Sequence, residues 1–359
     1  MAAGAGGRSY LLARLFAQRP HPLEQDVPAS FFSLGVDGFF AISGFLITAS
    51  WLNNPNVREY FLARALRILP GFYVCLLVTA LVIAPVSVAI RGGSPMQLIL
   101  SGAPLEYIFK NAAVAFVKFD VGGTPSGIPD AGDWDASLWS LIWEVMCYVI
   151  VGVIGVVGLA SRRWVSPAIL ALATIGALLM PPIAFPEVLH HPGGDARTAL
   201  IFLACRTAIM FSAGALLYQW RDAIPARWSL VAVSVVVVIL AGRLPDYRVV
   251  AAVPLAYAIV VSGTLLHHRR LRLRTDISYG MYIYAYPVQQ LLAVVGLVNT
   301  NRLVIFGAVS LATVPLAFAS WFLVEKPARS LRHRFGPKRS GAQKQPLVVL
   351  PPDVPGVAH

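Results

Sequence analysis

The chain has 359 residues, of which 57% are hydrophobic and only 13% charged, with a mean hydropathy of +0.69. A soluble domain carries about a quarter of its residues as charges, so this composition excludes a soluble multi-domain protein and predicts an all-α, polytopic bundle of membrane helices. In such a chain the net charge of +12 belongs to cytoplasmic loops, not to a nucleic-acid surface.

A helix needs about 20 apolar residues to cross a hydrocarbon core about 30 Å thick, at 1.5 Å of rise per residue. Nine spans are predicted: 31–52, 68–90, 137–159, 165–185, 199–219, 229–242, 248–266, 277–298 and 303–324, the sixth being short. The first two form a hairpin around Leu34–Pro70. An apolar run carrying one acid, Asp37, is followed by Arg58, Arg64 and Arg67, and a second apolar run opens at Ile68. The stretch 91–136 is rich in Gly, Pro and Asp and predicts an irregular loop with a short helix at Tyr107–Val117. Residues 1–30 hold no span, 31–329 form the membrane domain, and the proline-rich residues 330–359 predict a disordered tail. Cys75, Cys147 and Cys205 fall inside apolar runs, as buried thiols and not as a disulfide framework. No zinc-like Cys/His spacing is present; the pair His190–His191 could bind a metal, the alternative being a solvated loop.

Alternate loops differ sharply in basic content. Arg58, Arg64 and Arg67, then Arg162 and Arg163, Arg221 and Arg227, and Arg269 to Arg274 lie on one side with the tail, and together they hold most of the 29 Lys and Arg. The positive-inside bias puts that side and the C-terminus in the cytoplasm and the 91–136 loop outside. Nine crossings then place residues 1–30 outside as well. An arginine-bearing external start predicts a further helix ahead of Met1.

Ionisable groups in the bilayer are costly and therefore informative. Asp37, Glu144 and Arg206 lie in or close to spans; Asp276 and Glu325 lie at cytoplasmic ends, where Asp276 reads as an interfacial residue. Glu144 is about 10 Å along its helix from Ser137. Ser140 and Glu144 are four apart and share a face, as do Trp139 and Trp143. A carboxylate there can take a proton from a sugar hydroxyl; the alternative is an interhelical ion pair with Arg206. Arg64 and Arg67 are three apart on one face, and guanidinium forks bind phosphate; the alternative is a topological anchor or lipid contact. None of the seven histidines falls in a span. Gly152, Gly155 and Gly158 give a small-residue face for close helix packing.

Five stretches, GVDGFFAISGFLIT, ARALRILPGFY, SLWSLIWEVMCY, ISYGMYIYAYPVQQ and FLVEKPAR, resemble in content and order the acyltransferase type 3 family, integral membrane O-acyltransferases of cell-surface carbohydrates. The resemblance runs from Leu34 to Arg329. It implies ten helices with both termini cytoplasmic. It also implies that Arg64 and Arg67, as the family's Arg-x-x-Arg, serve an acyl-CoA donor. Trp139, Ser140 and Glu144 match its SLWSLxxE stretch, Tyr279 falls in its fourth motif, and Glu325 with Pro327 matches its late Glu-x-Pro. The chain departs from the family in two places. No Arg has a His eleven positions on, as the family's first helix does, and Ala285 and Tyr286 stand where many members carry His.

The expectation is therefore a membrane acyltransferase with Glu144 and Ser140 as catalytic residues. Arg64 and Arg67 hold the donor, and Asp37, Trp139, Tyr279 and Glu325 support the site. Acyl-CoA is the co-substrate, with no cofactor or metal. The acceptor is an extracytoplasmic polysaccharide or glycolipid, and the protein has no nucleic-acid partner. Two other readings are a transporter or flippase of a lipid-linked glycan, with Asp37, Glu144 and Arg206 lining a path, and an inactive truncated family member.

Overall fold

The computed structural model describes residues 27–115, 117–180, 196–244, 246–266, 275–297 and 301–331. The regular structure among the described residues is helical, with no strand. These residues form two units by internal contact: 27–56 with 146–266, and 57–145 with 275–331.

The first unit holds α1 (Val27–Asn53), the far part of α6 (Trp139–Val156), α7 (Val165–Leu179), α8 (Ala196–Gln219), α9 (Trp228–Ala241) and α10 (Arg248–Leu265). Helices α1 and α8 cross where glycine removes the side chain on both sides. A Cβ on Gly44 would lie 1.9 Å from the Phe211 carbonyl oxygen, and one on Gly214 would lie 1.8 Å from that of Ala41. Backbone thus meets backbone, the small-residue packing that replaces the hydrophobic effect between helices in lipid. The glycines of α6 and its end do different work. Gly155 faces the Trp51 indole, where a Cβ would come within 1.9 Å. Gly158, at φ +79°, ends the helix in the left-handed conformation, with Leu159 N–H donating back to Ile154 O at 2.9 Å.

The second unit holds α2 (Val57–Val78), α3 (Ala84–Ile90), α4 (Pro95–Leu100), α5 (Ala103–Asn111), the start of α6, α11 (Ser278–Val294), α12 (Arg302–Ser320) and α13 (Lys326–Ser330). A π turn at Thr79–Ile83 joins α2 to α3, and another at Trp321–Glu325 joins α12 to α13. Each is followed two residues later by a proline, Pro85 or Pro327. A proline ring clashes with the carbonyl four residues back. In both cases that residue, Leu81 or Leu323, lies inside the π turn, where the wider winding relieves the clash and the chain stays helical.

Every predicted span contains an apolar helix. Six are long and apolar enough to cross a membrane: Ser33–Asn53, Val57–Ile90, Ala136–Val156, Arg197–Gln219, Arg248–Leu265 and Leu303–Ser330. Val165–Leu179, Trp228–Ala241 and Ser278–Val294 are shorter. Large apolar side chains such as Leu172, Phe306 and Leu311 are at least 70% exposed, a surface suited to hydrocarbon and not to water.

Two boundaries differ from the expected ones. The second span begins at Val57 and not at Ile68, so Arg58, Arg64 and Arg67 ride on its opening turns and only Asn54–Asn56 forms the bend. Hydropathy rejects those turns, yet long guanidinium side chains reach out from a helix that is already under way. The helix expected at Tyr107–Val117 is Ala103–Asn111, preceded by Pro95–Leu100. It stops because Asn111 turns its side chain on the following backbone, accepting from Val117 N and Lys118 N and donating to Lys118 O. Residues 1–26 and the tail beyond Leu331 lie outside the described residues, as do all seven histidines.

Candidate active site

The second unit brings together most of the residues singled out by sequence. Helix α11 is the element that does so. Tyr279, in its first turn, donates to Ile68 O at 2.9 Å, and its ring fills the space left by Gly71. Tyr282, three residues on and about 4.5 Å further along the helix, donates to Ser137 O, and its oxygen is 2.5 Å from Ser140 Oγ. Gln290 donates through Nε2 to Asp133 O at 2.6 Å and Asp130 O at 2.8 Å. One helix therefore holds the arginine-bearing α2, the start of α6 and the end of the 91–135 loop in a fixed relation.

Ser140 and Glu144 lie on one face of α6 and are buried, Glu144 to 4% exposure. Trp139 and Trp143 are buried beside them. Just before α6 is a second acidic group that the sequence reading passed over. Asp135 is fully buried and accepts from the Tyr107 hydroxyl at 2.5 Å. Burial raises its pKa to about 7 even though the Tyr107 hydrogen bond opposes the shift. Asp133, also buried, is raised to about 7 by the same cause.

At the opening turns of α2, Arg67 Nη1 lies 3.5 Å from Asp276 Oδ2. Arg329 Nη1 donates to the same oxygen at 3.1 Å, and Ser278 Oγ donates to Oδ1 at 2.6 Å. Burial alone would raise the pKa of Asp276, but Ser278, Arg67 and Arg329 outweigh it and hold the carboxyl below its ordinary range. Asp276 is thus the shared counter-ion of two arginines, a closer role than the interfacial one read from its position. Glu325 is fully buried at the end of its π turn. It accepts from Ser320 Oγ at 2.9 Å and lies 3.7 Å from Arg329 Nη2. Arg64, on the same face of α2 as Arg67, stacks over Tyr60 at 5.8 Å.

Asp37 belongs to a separate cluster in the first unit. Arg248 Nε lies 2.7 Å and Arg206 Nε 3.4 Å from its two oxygens, and Tyr247 donates to it. Both arginines also donate to Ser33 Oγ, at 2.7 and 2.8 Å. Arg206, considered above as a partner for Glu144, has Asp37 as a carboxylate at ion-pair distance. A buried cluster of this kind ties α1, α8 and α10 together.

Fold and site define a multi-pass membrane protein whose second unit links, through α11, a helix start bearing buried Ser140 and Glu144 to an arginine-bearing helix. The sequence profile described as an acyltransferase domain matches residues 5–322, and the chain belongs to this type 3 acyltransferase family. It is 28% identical over 313 residues to nodulation protein 10 of Rhizobium leguminosarum bv. viciae, covering 83% of this chain and 82% of that protein. It is 24% identical over 306 residues to the O-acetyl transferase of Shigella phage Sf6, covering 80% of this chain and 82% of that one. It is 27% identical over 197 residues to the peptidoglycan O-acetyltransferase OatA of Listeria monocytogenes, 52% of this chain and 29% of that protein. No solved structure matches. Five site residues or partners were invisible in the sequence alone: Tyr107, Asp135, Tyr282, Gln290 and Arg329. Tyr282 and Gln290 stand in a motif already noted, ISYGMYIYAYPVQQ, and Arg329 closes FLVEKPAR.

Proposed function

We propose that this membrane acyltransferase moves an acyl group, most simply acetyl, from cytoplasmic acyl-CoA to a hydroxyl of an extracytoplasmic polysaccharide or glycolipid. The observation that carries the reading is the one-turn spacing of Tyr279 and Tyr282 on α11. The first bonds beside Arg64 and Arg67, the second beside Ser140 and Glu144. A phosphate-bearing donor held by the two guanidinium groups would thus present its thioester within a few turns of the buried carboxylate.

Glu144 then takes the proton of the acceptor hydroxyl as that oxygen attacks the thioester carbonyl carbon. The tetrahedral intermediate collapses by breaking the carbon–sulfur bond. The departing thiolate takes the proton from Glu144, which returns to its carboxylate form. The orientation across the bilayer rests on the Lys and Arg asymmetry of the loops. The O-acetyltransferase names among the relatives favour acetyl as the group moved.

The test is acetyl transfer from labelled acetyl-CoA supplied to the cytoplasmic face of sealed vesicles holding the full chain and an envelope-glycan acceptor. Transfer by the wild type and none by Glu144→Gln supports the reading. Label entering only when acetyl-CoA is given on the opposite face, or equal transfer by Glu144→Gln, overturns it.

A further inference from the structure

The arginine cluster at the start of α2 has a feature that phosphate binding by Arg64 and Arg67 does not require. Arg67 and Arg329 converge on a single oxygen, Oδ2 of Asp276, at 3.5 and 3.1 Å. The side chains of Arg67, Asp276 and Arg329 are 38%, 37% and 27% exposed, so each is partly open to solvent. Arg329 is braced from behind. Its guanidinium lies 4.7 Å over the Trp321 ring and its Nη2 3.7 Å from the fully buried Glu325; Nε and Nη2 are buried on this braced side and make no hydrogen bond among the described residues.

Each guanidinium meets Asp276 through a single nitrogen, so neither makes a two-pronged pair with that carboxylate. A phosphate offers three oxygens and more charge, and it suits two forks better than one carboxylate does. Ser278 Oγ, bonded to Asp276 Oδ1 at 2.6 Å, gives the carboxylate a resting partner that needs neither arginine.

We propose that Asp276 is a built-in competitor for the donor's phosphate. A phosphate-bearing acyl donor displaces Asp276 from Arg67 and Arg329, recruiting Arg329 as a third guanidinium of the donor site. After transfer, the return of Asp276 to the two arginines expels the phosphate-bearing product. Arg329 is a donor-binding residue in this scheme and Asp276 sets how long product stays. The inference rests on the reading of Arg64 and Arg67 as the donor site and names what regulates occupancy there.

The experiment is equilibrium binding of coenzyme A to the full chain in lipid nanodiscs, for wild type, Asp276→Asn, Arg329→Lys and the double variant Asp276→Asn/Arg329→Lys. Asp276→Asn keeps the Ser278 bond but removes the competing charge, and should bind about fivefold tighter, the size of one half-exposed charge contact. Arg329→Lys keeps the charge facing Glu325 but loses the fork, and should bind about fivefold more weakly. In the double variant the gain from Asp276→Asn should shrink, because the two effects pass through one contact. Unchanged or weaker binding by Asp276→Asn, or unchanged binding by Arg329→Lys, overturns the proposal. Should Asp276→Asn fail to insert, Arg329→Lys decides alone. The donor reading fails separately, if the wild type binds no coenzyme A or if Arg64→Ala/Arg67→Ala binds as well as wild type.

Discussion

The hydrogen bond between Ser140 and Tyr282 has a fixed direction. Tyr282 has one hydroxyl hydrogen and gives it to Ser137 O, so the 2.5 Å contact with Ser140 requires Ser140 Oγ–H to donate to the tyrosine oxygen. The serine hydrogen is therefore committed, and Ser140 positions Tyr282 and the start of α6 one turn from Glu144. A neutral hydroxyl is in any case a far weaker base than a carboxylate, so the proposed proton acceptor of the pair is Glu144.

Tyr282→Phe should lower turnover about tenfold while leaving the KM for acyl-CoA unchanged. The substitution removes both bonds at the α6 start, and a loss of about 1.4 kcal/mol at the transition state corresponds to one decade in rate. Initial rates at saturating acceptor check this. A raised donor KM with unchanged turnover would instead place Tyr282 in donor binding.

Glu144→Gln should lower acyl transfer by about a hundredfold or more, the usual scale for losing a general base. Coenzyme A affinity should hold, because the arginines on α2 are untouched. The pair of measurements separates a chemical role from a structural one, since a disturbed helix bundle would lower both.

Stability should fall as pH rises through neutrality. Asp133 and Asp135 have folded pKa values raised to about 7 from 3.8. The folded state therefore holds protons that the unfolded chain has lost, and the stability linked to them is full below about pH 4 and lost as pH rises through about 7. Thermal unfolding of the detergent-solubilised protein should give a lower Tm at pH 8 than at pH 5. Asp135→Asn, which can still accept from Tyr107, should flatten much of that dependence. An unchanged slope in the variant would move the effect to other groups.

Asp37→Ala should be far more damaging to folding than Arg64→Ala. It strips the carboxylate from Arg206 and Arg248 in a site where Asp37 is 1% exposed, and removing one member of a buried ion pair costs about 3–5 kcal/mol. Arg64 lies on a partly exposed helix face and should leave the yield of inserted protein near normal. Membrane yield and Tm of the two variants make the comparison.

Helix placement was largely legible because the apolar runs are long, histidine is kept out of them and charges within them are few. The start of α2 was not, because Arg58, Arg64 and Arg67 lower the local hydropathy below that of a span even though the backbone is already helical. Around the site, Arg64, Arg67, Glu144 and Glu325 stood out as charges in or beside apolar sequence. Their partners did not stand out. Tyr282 meets Ser140 across 142 residues and Gln290 meets Asp133 across 157, and nothing local marks a tyrosine or glutamine as the one that reaches. Asp37 was equally visible, yet its partners Tyr247 and Arg248 come from a helix start more than 200 residues away.

The π turn at Thr79–Ile83 adds one residue to the winding of the α2–α3 rod, and one residue in an α-helix is about 100° of rotation. The arginine end and the loop-bearing end of that rod are consequently indexed independently. A single-residue deletion within 79–83 would swing Arg91 and its 3.3 Å bond to Gly127 O out of alignment, while Arg64 and Arg67 kept their bearing. Gain or loss of one residue in mid-rod is therefore a mechanical route to re-aim the loop-bearing end while Arg64 and Arg67 stay where they are.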